Sequence, residues 1–275
     1  MKIVDHQLEG SGVKFIQSPN FYNPPFQTIS KLPDSVVVHY TAMTSAAAAI
    51  KVLTTRKPNG GNASAHLVIG KKGEVTQLAR FDQRTWHAGK SSYEGRKGYN
   101  NFSIGIEIDN VGWLKKQSNG NYSRMRLQKE YTEDQIVNEA HFNPKVKYIY
   151  WEKYTDQQID VVFEICELLR QQYGIVEILG HDELSPSRKQ DPGPAFPMDE
   201  LRSEILQDRS DQVVAGTVKT NLLNIRSGAG VEHEKVAQPL TKNAEVQILE
   251  EKDGWYKVST KIEGWVSKAY ISPTS

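Results

Sequence analysis

Three ionisable residues stand in, or at the end of, apolar runs that read as buried strands, and this feature constrains the fold most. His39 closes Val36-Val37-Val38-His39, Glu107 sits inside Ile104-Gly105-Ile106-Glu107-Ile108, and His181 closes Ile178-Leu179-Gly180-His181. A β-branched run such as Val36–Val38 fits a strand covered on both faces. The 104–108 run alternates strictly, which sets Glu107 on the face opposite the isoleucines. Asp191 follows in Arg188-Lys189-Gln190-Asp191-Pro192-Gly193-Pro194. Two imidazoles and a carboxylate form a three-ligand set for catalytic zinc, with the fourth tetrahedral position left for water. Such a site also needs a base for the water and a cation for the developing oxyanion, and Glu107 and Lys189 suit those tasks. Spacing by itself leaves plainer readings open. A strand-end histidine is more often a satisfied core or surface residue, Glu107 fits a solvated strand, and Lys189 fits a loop charge.

The surrounding pattern alternates strands with helices. Thr44 or Ser45 opens an alanine-rich helix to about Leu53, and Pro58-Asn59-Gly60-Gly61 forces a loop. His66–Ile69, Gly70–Gly73 and Glu74–Leu78 read as strand, turn and strand. The spacing predicts a helix over 156–173, with Thr155 and Gln158 as a capping box and Gly174 as its C-terminal cap. A second amphipathic helix covers Met198–Leu206. The expected fold is α/β over 31–207, a mixed central sheet covered by helices. Residues 1–30 read as an irregular lead-in packed on that domain, punctuated by Pro19, Asn20, Asn23, Pro24 and Pro25 and pinned by Phe15, Ile16, Phe21, Tyr22 and Phe26. Residues 208–213 read as a polar linker, and the short strand-like runs of 214–275 read as a small all-β barrel.

Composition narrows the partners. Lys+Arg 34 against Asp+Glu 33 gives +1, so no basic field exists to hold nucleic acid or an anionic membrane. No apolar stretch approaches the ~20 residues of a membrane span. The opening MKIVDHQLEG has no continuous apolar core and does not read as an export signal. Cys166 is the only cysteine, which excludes an internal disulfide and a cysteine-rich metal site.

Several blocks occur in a recognisable order: His39-Tyr40-Thr41, Ser64-Ala65-His66-Leu67-Val68-Ile69, Trp86-His87-Ala88-Gly89, Asn101–Glu107, Gly180-His181-Asp182 and Arg188–Phe196. Together they resemble the zinc-dependent N-acetylmuramoyl-L-alanine amidases of type 2, which share their fold with peptidoglycan recognition proteins. The resemblance implies one Zn2+ per chain on His39, His181 and Asp191. It implies Glu107 as the catalytic acid/base and Lys189 as the group stabilising the tetrahedral intermediate. His66, Trp86 and His87 fall on further blocks and are candidate substrate contacts, although packing or a supporting hydrogen bond is the stronger reading for His66 and His87. His6, His141 and His233 match no block and read as ordinary residues. The segment Val111–Tyr154 is long beside the shorter relatives and is expected to cover or border the groove.

Val218–Gly230, Asp253–Val258 and Gly264–Ile271 look like a bacterial SH3 domain. Its Trp255, Tyr256, Trp265 and Tyr270 are candidate wall-binding residues, with core filling as the other reading. The implied activity is hydrolysis of the amide between N-acetylmuramic acid and L-alanine in peptidoglycan or muropeptides, by a monomer. The alternatives are a non-catalytic peptidoglycan binder and a zinc peptidase acting on stem peptides. Three settings fit a chain without a visible signal: recycling of wall fragments, a phage-type lysin, and a secreted effector with an immunity or delivery protein as partner.

Overall fold

The computed structural model describes residues 1–206, apart from 23, 24, 29, 125, 126 and 128, and residues 214–260, apart from 253. The chain divides into two compact units, Met1–Gln207 and Asp208–Ser275.

The first unit is built on a six-stranded mixed sheet. Its strands are β1 (Val13–Phe15), β2 (Ser35–Tyr40), β3 (Leu67–Ile69), β4 (Val75–Gln77), β5 (Ser103–Ile108) and β11 (Glu177–Gly180), in the spatial order β11-β2-β5-β3-β4-β1. β2 runs parallel to both β11 and β5, and β3 and β4 form the antiparallel hairpin. Every residue of β2 is buried, as its unbroken apolar run requires. Val36, Val38, Leu67, Ile104 and Ile106 face one way, onto helices α2 (Asp156–Tyr173) and α4 (Met198–Leu206). Val37 and Leu179 face the other way, packed with Ala88, Tyr99 and Leu184. Val68 also lies on that second face, against Ala49 and Leu53 of α1 (Ala46–Leu53).

The helix boundaries follow from caps. Thr155 Oγ1 accepts the Gln158 N–H at 3.2 Å, while the Gln158 side chain accepts the Thr155 N–H at 3.1 Å. Gln158 Nε2 also donates to the Asp109 carbonyl at 2.9 Å, tying the helix start to the end of β5. Gly174 ends α2 with φ 69°, a left-handed conformation that glycine adopts without penalty. Ser45 caps α1 through the Ala48 N–H.

Two regions differ from the sequence expectation. The lead-in is partly ordered as strands. β1 pairs with β4 as the sixth strand of the sheet, Lys2–Val4 pairs with Gln7–Glu9, and Phe21–Tyr22 pairs with Arg84–Thr85. These strands are only two or three residues long, too short to show an alternation. Of the five expected anchors Phe26 is buried and Phe21 half-buried, whereas Phe15, Ile16 and Tyr22 are exposed; Asn23 and Pro24 lie outside the described residues. The 111–154 segment is a folded layer, with β6 (Trp113–Lys116), β7 (Tyr122–Ser123), β8 (Glu130–Tyr131), β9 (Ile136–Asn138) and β10 (Tyr150–Glu152) in the antiparallel order β8-β7-β6-β10-β9. It carries its own core of Val111, Leu114, Tyr122, Tyr131 and Ile136.

In the second unit β12 (Val214–Thr217), β15 (Glu245–Lys252) and β16 (Trp255–Ser259) form an antiparallel sheet, and β13 (Leu222–Leu223) pairs with β14 (Leu240–Thr241). The expected strand at 264–266 and the linker at 208–213 lie outside the described residues.

Gly174→Ala tests the cap. A Cβ there meets nothing within 4 Å, so the cost is conformational alone. Urea denaturation should show a loss of about 1–2 kcal/mol, and an unchanged midpoint would refute the assignment.

Candidate metal centre

The sheet register brings the distant ionisable residues together. Glu107 is the Cα partner of His39, and Gly180, the residue before His181, is the partner of Val38. Side chains in register on parallel strands share a face. His39 and Glu107 therefore leave the sheet on the face opposite α2, and His181 begins the short helix α3 (His181–Leu184) beside them. The site lies at the carboxyl ends of the parallel strands.

His39 Nδ1 and His181 Nδ1 are 2.8 Å apart, and each is 2.9 Å from Asp191 Oδ2. All three residues are buried. Their other ring contacts settle which atoms bear protons. His181 Nε2–H donates to the Ala88 carbonyl at 3.1 Å, leaving Nδ1 as a lone pair. His87 Nε2–H donates to the Ser103 carbonyl at 3.2 Å, so His87 Nδ1 accepts from His39 Nε2–H at 3.0 Å and His39 Nδ1 is likewise unprotonated. Two imidazole lone pairs and a carboxylate oxygen thus crowd together with no proton between them. That arrangement is repulsive unless a cation sits among the three, and the donor set and spacing suit one tetrahedral ion. His39, His181 and Asp191 form a triad that could hold a metal ion.

The protonation tendencies agree. Burial, with His181 close by, pulls His39 down from 6.5 to about 4, so the ring is neutral. Burial works to raise Asp191, but attraction to the two histidines in their proton-bearing forms outweighs burial and holds the carboxyl well below its usual range; with both rings neutral, a cation among the three groups would supply that attraction. Glu107 is the one residue of β5 that is only partly buried, and it lines the cavity over the triad. Desolvation, reinforced by the negative charge of Asp191, lifts its carboxyl from 4.5 to about 8.

Two glycines make room for the arrangement. A Cβ on Gly105 would lie 2.4 Å from the His87 ring, and one on Gly180 would lie 2.3 Å from Asp182 and 2.8 Å from Pro192. Asp182 steadies the Asp191 loop. Its N–H donates to the Asp191 carbonyl at 2.7 Å, and its Oδ2 accepts the Gly193 N–H at 3.3 Å and His141 Nε2–H at 3.1 Å.

A cavity of about 280 Å³ opens over the triad, lined also by Glu107, Lys189, Trp86, His87, Arg124 and Arg188. Trp86 Nε1–H is buried without a partner among the described residues. His66 does not line this cavity. It is fully buried, Nε2–H donates to the Gln83 carbonyl at 2.7 Å, and Nδ1 accepts the Gly105 N–H at 3.0 Å. Trp255 is half-buried and Tyr256 exposed in the second unit, whereas Trp265 and Tyr270 lie outside the described residues. Sequence reasoning passed over Arg124, Arg188 and His141. Arg124 comes from the 111–154 layer, where its guanidinium packs 4.7 Å over Trp113. The partner of His141 is 41 positions away, which no local pattern reveals.

Comparison with known proteins gives concordant matches. Residues 221–272 match the bacterial SH3 domain family. The 1,6-anhydro-N-acetylmuramyl-L-alanine amidase AmpD of Citrobacter freundii is 32% identical over 135 residues, 48% of this chain and 52% of that protein. The N-acetylmuramoyl-L-alanine amidase AmiD of Escherichia coli is 26% identical over 178 residues, 62% of this chain and 52% of that protein. The chain thus spans about half the length of the curated relatives it matches. The solved complex of Escherichia coli AmiD with anhydro-N-acetylmuramic acid-L-Ala-D-gamma-Glu-L-Lys aligns at 22% identity with a TM-score of 0.47, covering 68% of this chain and 66% of that one. The N-acetylmuramoyl-L-alanine amidase family itself matches residues 30–194, more than half of the sequence, and the chain belongs to that family.

Proposed function

We propose that the chain hydrolyses the amide between N-acetylmuramic acid and L-alanine in peptidoglycan or muropeptides, with one zinc ion held by His39, His181 and Asp191. The observation that carries this reading is the meeting of three unprotonated donor atoms with Glu107 and Lys189 around one cavity. In this reading residues 31–207 are the catalytic domain with 1–30 packed on it, 208–213 a linker, and 214–275 a wall-binding domain. Attachment through that second domain raises the effective concentration of enzyme at the wall.

The residues divide the chemistry. Zinc at the triad supplies Lewis acidity toward the scissile carbonyl and makes water easier to deprotonate. Glu107 takes the proton from the attacking water, whose oxygen bonds to the carbonyl carbon, and returns it to the amide nitrogen as the C–N bond breaks. A carboxyl lifted toward neutrality by its surroundings is suited to both directions of transfer. The Lys189 ammonium stabilises the oxyanion. His87 orients His39 through the Nε2–H contact, and Trp86 is available to donate to the substrate.

Incubation with muropeptides should release free stem peptide, read by mass spectrometry. Glu107→Gln should lower turnover about 10²–10⁴-fold while muropeptide binding persists. Cuts between sugars or within cross-links would refute the bond assignment, and wall binding without turnover by zinc-loaded protein would make the chain a binder. His87→Ala should weaken zinc affinity by about 10–100-fold, measured by chelator competition. Unchanged affinity would leave His87 with no part in orienting His39.

The metal-free protein should show a pH signature. Between 4.5 and about 8 the folded protein holds the Glu107 proton that the unfolded chain releases. Stability from this group is therefore full below pH 4.5 and lost as pH rises through about 8. His66, lowered by burial from 6.5 to about 4, acts in the opposite sense, since its contribution is present above 6.5 and lost as pH falls through 4. Urea midpoints of wild type minus Glu107→Gln isolate the first effect. The difference should fall from pH 5 to 8, and a flat difference would refute it.

A further inference from the structure

A second cavity, of about 530 Å³, adjoins the first, and Gln190 lines both. Its remaining wall comes from Lys145, Val146, Lys147 and Tyr148 of the 111–154 layer and from Pro186 and Ser187 in the loop that carries Lys189 and Asp191. No acidic side chain lines it, and among the described residues neither lysine is in an ion pair. Lys147 Nζ donates to the Pro144 carbonyl at 2.7 Å, a contact that leaves its charge unneutralised. One face of Tyr148 is already occupied by Trp113, with ring centroids 3.9 Å apart and planes 4° from parallel. That face is closed to a stacking sugar.

The first cavity, at about 280 Å³, is at the lower end of the volume that encloses a small ligand. It has room for the reacting bond and its immediate neighbours, and Gln190, shared by both cavities, marks a route by which the rest of a longer substrate reaches the second. A path lined by two unpaired ammonium groups favours an anion. We propose that the second cavity is a binding subsite for the carboxylate-bearing distal residues of the peptide attached to muramic acid, gripped by Lys145 and Lys147. This inference rests on the amidase reading, whose substrate is such a peptide. Recognition then depends on the 111–154 layer, and the chain discriminates by peptide length and charge, separately from the bond it cuts.

Calorimetry on zinc-loaded Glu107→Gln protein provides the test, since that variant binds substrate without consuming it. The ligands are N-acetylmuramoyl-L-alanine, an N-acetylmuramoyl tetrapeptide with free carboxylates, and the same tetrapeptide with its carboxylates amidated. The free tetrapeptide should bind about 5–10-fold more tightly than either other ligand, the range that two exposed ion pairs supply. In Lys145→Glu/Lys147→Glu protein that ratio should fall to about one or below. Raising NaCl from roughly 0.05 M to 0.5 M should shrink it in the parent protein by screening. Both lysines are exposed, so the exchange is compatible with folding, and Lys145→Gln/Lys147→Gln gives the intermediate ratio. A ratio that survives charge reversal, or an amidated tetrapeptide binding as well as the free acid, overturns the proposal. The latter result would point to length or sugar contacts instead. Failure of the amidase reading has its own signature, no turnover of any of the three ligands by unmutated protein, while the binding ratio is read independently.

Discussion

The site depends on strand register. β2, β5 and β11 are parallel neighbours, and the pairing of Glu107 with His39 and of Gly180 with Val38 decides which side chains meet. Because side chains alternate along a strand, a slip of one residue would turn His39 and Glu107 into the layer beneath α2 and bring Val38 and Ile106 to the cavity. The apolar residues hold the register. Val36, Val38, Ile104 and Ile106 are fully buried against the helices, so slippage would replace them with a histidine and a carboxylate. The core and the site are two faces of one arrangement.

Within that frame the donors are aimed by groups that bear no charge. The Ser103 carbonyl fixes the tautomer of His87, His87 fixes that of His39, and the Ala88 carbonyl fixes that of His181. Each link is an ordinary hydrogen bond, but together they strip the proton from every nitrogen facing Asp191. The glycines belong to the same design. Gly105 would weaken a strand on propensity alone, yet any side chain there would strike His87.

Legibility in the sequence followed the range of the interactions. The helix at 156–173 was readable to the residue because its capping box and its terminal glycine are local. β2, β5 and β11 were readable because double-sided burial demands apolar runs. β1 was not, since a three-residue strand at the sheet edge shows Val-Lys-Phe and little more, and its order comes from pairing with β4. The five-stranded 111–154 layer was hidden by its polar, half-exposed strands. The candidate ligands were visible by residue type and by the blocks around them, but spacing alone did not separate them from satisfied core histidines, and their convergence on one point belongs to the fold. Arg124 and His141 are tied to the site through partners distant in sequence, and their neighbours in the chain give no sign of it.

The 111–154 layer shows how a groove wall can be added without disturbing the register that makes the site. The layer closes on its own core, and its two ends are clasped where they leave the sheet. The Glu152 carboxylate accepts the Val111 N–H at 2.6 Å, and Asn110 Nδ2–H donates to the Glu152 carbonyl at 3.0 Å. Lys71 pairs with the same carboxylate at 2.9 Å, so the buried charge has partners from both sides of the junction. With entry and exit pinned together, the intervening residues can vary in length and charge while β5 and α2 keep their positions. Several struts do cross back: Asn143 Nδ2–H donates to the Pro186 carbonyl at 2.6 Å, and Trp151 and Tyr154 belong to the core beneath the main sheet. His141 holds Asp182, and Asp182 holds the loop of Asp191. The wall is thus free to diversify where it is exposed and constrained at the points where it braces the triad and the main core.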